Sequence, residues 1–302
     1  GGNEIGPFLP IEQAALAHLV ESGRRTAVFA WYNLVGSLAT ALGALGGGVL
    51  AQTLQDSGIA PLDSYRANVI GYGLIGLVLA AIFTRLSPRV EPEPPPAQRR
   101  LSATGTFGLH RSRRTVFTLS ALFSLDAFAG GLVVQSFVAY WFFVRYNVEP
   151  AQLGAIFFGA NILAGLSALF AVRLARRFGL INTMVFTHLP SNVLLMLVPL
   201  MPSLPLAVGV LLLRFSISQM DVPTRQSYTL AVVEPDERSA AAGITGVART
   251  TGAALSPSIT GALLSSPVWL NAPFFLAGGL KIVYDWLLYR AFKAAKPPEE
   301  RV

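Results

Sequence analysis

Apolar positions in this chain fall in long blocks that are hydrophobic on every side, with polar residues gathered between the blocks and not along one face of them. A block of that kind predicts a helix with apolar surroundings all round, and about 20 such residues cross a hydrocarbon core of about 30 Å. Seven complete spans are expected, at 27–50, 66–86, 116–144, 151–171, 182–201, 204–233 and 239–263, with an eighth at 269–291 and a partial helix at 1–20. The fold class that follows is an all-α membrane protein, a polytopic helical bundle.

The connections between these spans alternate in charge. Arg24 and Arg25 occupy the first, "QTLQDSGIAPLDS" holds no Lys or Arg, and the segment 85–115 holds Arg85, Arg89, Arg99, Arg100, Arg111, Arg113 and Arg114. Arg145 is then alone in its loop, Arg173, Arg176 and Arg177 crowd the next, and "MPS" has none. "EPDER", a neutral "SSPVW" and a tail with Arg290, Lys293, Lys296 and Arg301 complete the series. Basic loops stay on the cytoplasmic side. Every second connection, including the linker 87–115 and the C-terminal tail, is therefore expected in the cytoplasm of a multi-pass cell-membrane protein. The linker is rich in Pro, polar and basic, which predicts an extended segment dividing the helices, with a polybasic lipid contact as the alternative to a plain solvated loop.

Composition agrees: the 302 residues are 53% hydrophobic and 13% charged, with a mean hydropathy of +0.54, too apolar for a soluble domain of this length. The absence of cysteine removes disulfides and thiolate metal sites. A net charge of +7 raises the question of a nucleic-acid partner, but the basic residues are mostly Arg in a few loops, which topology explains. The opening "GGNEIG" has neither a Met nor a basic region, and predicts that an upstream part is missing.

Pairing Pro10 with Pro223 sets an offset of 223 − 10 = 213, and ten of the 41 positions from 10 to 50 are then identical to those from 223 to 263. Gln13, Glu21 and Arg25 match Gln226, Glu234 and Arg238, residue types that hydrophobic bias does not supply. Both copies are expected to cross in the same direction, a parallel repeat of two halves. The first copy carries Ala30, Ala39, Gly43, Ala44, Gly47 and Gly48; the second carries Gly243, Gly252, Ser256, Pro257, Thr260 and Gly261. Small residues at this spacing let helix backbones approach closely, which makes Gly43, Gly47, Gly48, Gly252, Pro257 and Gly261 a candidate packing motif. "VRLARRFGLIN" at 172–182 supplies a basic loop after a span.

With these features the chain resembles the major facilitator superfamily of secondary transporters. The glycines resemble that superfamily's antiporter signature in helix 5, divided here between two helices. Arg176, Arg177, Phe178 and Gly179 resemble its loop signature, with Ala175 where an acidic residue belongs. The resemblance implies a two-half architecture whose first half is truncated. Residues 1–86 would be late helix 4 with helices 5 and 6, 87–115 the linker, and 116–302 helices 7–12 with a tail.

A charge at mid-membrane costs about 2.5–3.5 kcal/mol on insertion scales, so each one demands a partner or a cavity. Asp221 and Arg225 are four apart and share a helix face with Arg214 and Ser218. Arg214, Ser218 and Asp221 are candidates for the substrate cavity, since the resemblance places helices 7 and 10 around it; Arg214 either meets an anionic substrate or pairs with Asp126. Asp126 is the candidate for proton coupling, or else the fixed partner of an arginine. Glu12, Arg225 and Arg249 are candidates for a gate or a contact between the halves, the alternative being that Glu12 pairs with Arg24 or Arg25, and Arg225 with Asp221 or Glu234. Lys281 and Asp285 are expected to compensate each other within one helix, and His188 and Asn161 to make interhelical hydrogen bonds.

"GYGLIG" at 71–76 lies inside an apolar span, so it is a packing surface and no dinucleotide site; neither a P-loop nor a metalloprotease or nucleophile-elbow motif occurs. The expected function is secondary active transport of a small solute by alternating access, as proton-coupled export, with uptake or a non-transporting sensor or scaffold as alternatives. The partners are a small-molecule substrate, protons or another coupling ion, and the bilayer. A monomer is expected, with no cofactor, no metal, no nucleic acid, no catalytic residues and no enzymatic activity.

Overall fold

A computed structural model of the chain describes residues 12, 16, 19, 20, 24–85, 108–234 and 236–294. Most of the partial helix at 1–20, the linker core at 87–107 and the end of the tail lie outside the described residues. Ten α-helices order the rest: α1 (Arg25–Asp56), α2 (Pro61–Phe83), α3 (Arg113–Gly131), α4 (Gln135–Tyr146), α5 (Pro150–Phe178), α6 (Leu180–Leu197), α7 (Leu204–Phe215), α8 (Asp221–Ala231), α9 (Arg238–Leu264) and α10 (Ala272–Phe292). The described residues contain no strand. Among the described residues five helical stretches are long and apolar enough to cross a membrane: α1, α2, α3 with α4, α5, and α6 with the turn that follows it; α7 is apolar but shorter.

The helix ends follow from local chemistry. Pro61 and Pro150 sit at first helical positions, where a missing N–H costs nothing. Gly179, at φ 85°, is the single residue between α5 and α6, and only glycine takes that left-handed bend freely. α1 and α9 begin at Arg25 and Arg238, which the sequence repeat matches: 238 − 25 = 213.

Two spans expected as single helices are interrupted. The 116–144 span divides into α3 and α4 at residues 132–134, and the 204–233 span into α7 and α8 at 216–220. In the second break Ile217 and Ser218 both donate backbone N–H to the Arg214 carbonyl, at 3.1 and 2.9 Å, and Gln219 donates to Ser167 Oγ of α5 at 3.3 Å. Pro223, with no N–H, helps to end the regular ladder here. Irregular backbone at such depth persists only where protein or a cavity satisfies it.

Helix crossings are set by small residues. α1 runs antiparallel to α5, with Leu34 and Ser37 against Gly165 at one end and Gly48 against Gly154 at the other; a Cβ on Gly48 would lie 2.6 Å from the Pro150 carbonyl oxygen. α3 runs parallel to α9, with Ser124 on Gly252, Gly131 on Ser256, and Thr260 Oγ1 donating to the Leu132 carbonyl at 3.1 Å. α2 buries only Ser64, so its apolar side chains face outward.

The two largest of four apolar clusters among the described residues make most of the core. Towards the α4–α5 turn, Trp141, Phe142, Phe157, Leu195, Leu211, Phe274 and Ala277 pack together, and Trp141 Nε1 donates to Asn271 at 2.8 Å. Towards the Arg-rich end, Leu119, Phe123, Met184, Tyr228, Tyr284, Leu288 and Phe292 do the same. At that end the close of the expected linker is folded. Buried Glu237 accepts the backbone N–H groups of His110, Arg111 (2.8 Å) and Ser112 (2.8 Å), while Ser112 Oγ accepts the N–H of Glu234 at 3.1 Å. Burial alone would raise the Glu237 carboxyl, but these donors together hold it at about 2.

Candidate functional site: a buried charge network between two apolar clusters

On each of three helices a polar residue stands where one apolar cluster gives way to the other. On α3 it is Asp126, between Phe123 and Leu132; on α6, His188, between Val185 and Leu195; on α10, Lys281, between Ala277 and Tyr284. Packing the three helices together brings these residues to one depth, enclosed above and below by hydrophobic side chains.

Asp126 is the hub. Its Oδ1 accepts from Lys281 Nζ at 2.5 Å, and its Oδ2 from Arg225 Nη1 of α8 at 3.1 Å and from Arg249 Nη1 of α9 at 3.5 Å. His188 Nε2 lies 4.0 Å from Oδ1. Arg225 also donates to Asp221 at 2.9 Å and covers the Phe123 ring at 5.7 Å. Asp285 receives His188 Nδ1 at 2.8 Å and Asn192 Nδ2 at 3.0 Å. Asp126, Asp221 and Asp285 thus face Arg225, Arg249 and Lys281, three charges of each sign, and His188 bridges two of the carboxylates. In a low-dielectric interior each of these groups is thereby met by an opposite charge and is not buried alone.

The structure brings together Asp126, Asp221, Arg225 and Arg249 of the residues singled out in the sequence. Lys281 does not compensate Asp285 as expected; it reaches across to Asp126, and α6 supplies the partners of Asp285. Arg249 pairs with α3, on its own side of the linker. Glu12 and Arg225 do not meet: the Tyr32 hydroxyl donates to Glu12. The contact between α1 and α8 is made instead by uncharged residues. Thr26 Oγ1 donates to Ser227 Oγ at 2.8 Å, Asn33 to Gln226 Oε1 at 3.2 Å, and Phe29 packs on Leu230.

Arg214 does not pair with Asp126. Its guanidinium lies over the neighbouring Phe215 ring at 5.1 Å, and its Nε has no hydrogen-bond partner; one turn on, Ser218 is buried with its Oγ likewise unpartnered. Asn161 donates to Gln135 at 3.3 Å, across the α5–α4 contact. Of the glycine motif, Gly48 and Gly252 stand at helix crossings and Gly47 approaches Asn68, whereas Gly43 and Gly261 have open space where a Cβ would go; Pro257 lies inside α9 without ending it. Gly131, Gly154, Gly165, Asn192 and Glu237 also hold helix crossings or the buried polar contacts, beyond the residues singled out by sequence. "SN" following Pro190 in an otherwise apolar span was the one available signal for Asn192.

A sequence profile of the Major Facilitator Superfamily matches residues 4–220 and, separately, 139–302. The chain belongs to that superfamily. Over 314 aligned residues the chain is 26% identical to an uncharacterized membrane protein of Saccharomyces cerevisiae, covering 95% of this chain and 70% of that protein. It is also similar, at a TM-score of 0.55 and 18% identity, to the crystal structure of a bacterial homologue of the iron transporter ferroportin in an outward-facing state, over 96% of this chain and 67% of that one. What is shared at that identity is the superfamily fold.

Proposed function

We propose that the protein carries a small solute across the cell membrane by alternating access, coupled to protons, in the direction of export. Membrane transport follows from the family. The coupling rests on one observation, the gathering of Lys281, Arg225 and Arg249 from three helices onto Asp126, with Arg225 on the helix that follows the 216–220 break. A carboxylate holding cations from separate helices changes the packing of those helices when it gains or loses a proton. Export leans on the antiporter-like glycines around Gly43, Gly47 and Gly48. In this reading the Arg-rich end is cytoplasmic, residues 87–115 link two halves of a monomer, and the Thr26–Ser227 and Asn33–Gln226 contacts close the inner side.

The test is proton movement in proteoliposomes carrying a trapped pH dye, with candidate solutes added under an imposed gradient. Solute-dependent proton flux that Asp126→Asn abolishes, with folding intact, is the expected result. The saturation of Asp126 by three cations favours a second reading, a sensor or scaffold of the same fold in which the network only holds helices together. Wild type without gradient-dependent flux of any solute, alongside an unfolded Asp126→Asn, would establish that second reading.

A further inference from the structure

We propose that the α7–α8 break is a binding site for a small oxyanion, a carboxylate- or phosphate-bearing solute, held by Arg214 and Ser218. The charge balance points there first. Away from the ends of the described spans, where Arg66, Arg85 and Arg290 lie, Arg214, Arg225, Arg249 and Lys281 face Asp126, Asp221 and Asp285, four positive against three negative. Arg225, Arg249 and Lys281 all reach a carboxylate; Asp285 is taken by His188 and Asn192. The surplus positive charge resides on Arg214, whose Nε has no hydrogen-bond partner among the described residues and whose charge is met only at longer range by Asp221, already bonded to Arg225.

Depth makes that charge significant. Arg214 is ten residues into α7, about 15 Å at 1.5 Å per residue, so it stands near the middle of a hydrocarbon core of about 30 Å. A lipid headgroup does not reach that depth, and an unpaired cation there is costly. Ser218 is a second and independent indication. Its hydroxyl is unpartnered at 6% exposure, and the bond from its N–H to the Arg214 carbonyl at 2.9 Å places it one turn along on the same face. A guanidinium with a free Nε edge beside a free hydroxyl matches the two oxygens of a carboxylate or phosphate. Broken helices at mid-membrane are also where transporters of other folds hold their substrates.

The inference names the substrate class for the transport reading above and rests on it only for passage, not for binding. The experiment is thermal unfolding of the full purified chain at constant ionic strength, titrated with sodium succinate, inorganic phosphate, choline and glucose. At least one of the two anions should raise the unfolding temperature saturably, with choline and glucose inert. Arg214→Gln should need at least about tenfold more anion and Arg214→Lys an intermediate amount, since the charge stays but the fork is lost. Ser218→Ala should need about threefold more. Without ligand, Arg214→Gln should unfold no earlier than wild type, because it removes an unpaired charge. A lower temperature for unliganded Arg214→Gln would mean that Arg214 already has a protein partner, and would overturn the inference. So would equal anion responses in wild type and Arg214→Gln, or no response to either anion. Anion binding without flux would sink the transport reading alone; flux of a neutral or cationic solute indifferent to Arg214→Gln would sink this inference alone.

Discussion

Lys281 Nζ stands 2.5 Å from Asp126 Oδ1, across the contact of α10 with α3, although Asp285 lies one turn along its own helix. The pair joins the start of the 116–144 span to the last helix, and Arg225 and Arg249 extend it to α8 and α9. Three helices, α8, α9 and α10, none of them joined to α3 by a short connection, therefore meet on one carboxylate.

Removing that carboxylate leaves three cations without it. Asp126→Leu is expected to destabilise the protein by about 3–5 kcal/mol, the usual cost of stripping one partner from a buried pair. Lys281→Met added to Asp126→Leu should recover part of the loss, so a double-mutant cycle by thermal unfolding should give a coupling of about 0.5–3 kcal/mol. Strict additivity would mean that the two residues do not interact.

The glycines should divide by position and not by motif. Gly48→Ala drives a Cβ toward the Pro150 carbonyl, and Gly252→Ala drives one into the backbone of Ser124, so each should cost about 1–3 kcal/mol. Gly43→Ala and Gly261→Ala meet nothing within 4 Å and should change little or gain up to about 1 kcal/mol from helix propensity. Unfolding midpoints of the four variants in one detergent decide it.

At the Arg-rich end, Glu237 is held at about 2, below its ordinary 4.5. A depressed carboxyl stabilises the folded contact above 4.5 and loses that contribution as pH falls through about 2. Hydrogen exchange at the amides of His110, Arg111 and Ser112 should therefore accelerate over that window. In Glu237→Gln the same amides should exchange about tenfold faster at neutral pH and show little further acid dependence. Unchanged protection in the variant would remove Glu237 as the latch.

The chain has no cysteine, so the α1–α8 contact can be trapped cleanly. Thr26 and Ser227, whose hydroxyls are 2.8 Å apart, should form a disulfide when both are cysteine, and any transport should stop until it is reduced. Cross-linking that leaves flux intact would show that this contact does not open during the cycle.

The spans were legible because a membrane demands long apolar runs, and the breaks inside them were not, because Leu132, Val133 and Val134 are as apolar as their flanks, and Ser216, Ser218 and Gln219 are residue types that a continuous helix also accepts. Two pairs of charges four residues apart show where local spacing stops being informative. Asp221 precedes Arg225, the favourable order along a helix, and they bond; Lys281 precedes Asp285, the poorer order, and neighbouring helices take each of them away.

From sequence alone came the rough limits of most helical segments, the alternation of basic connections, the family resemblance and the residues too costly to face lipid, all properties of one segment and its solvent. The tertiary structure decided which charge meets which, which glycines stand at crossings and where helices break. Those depend on the relative register of separate helices, and side chains several helices apart in the chain find each other only when packing sets that register.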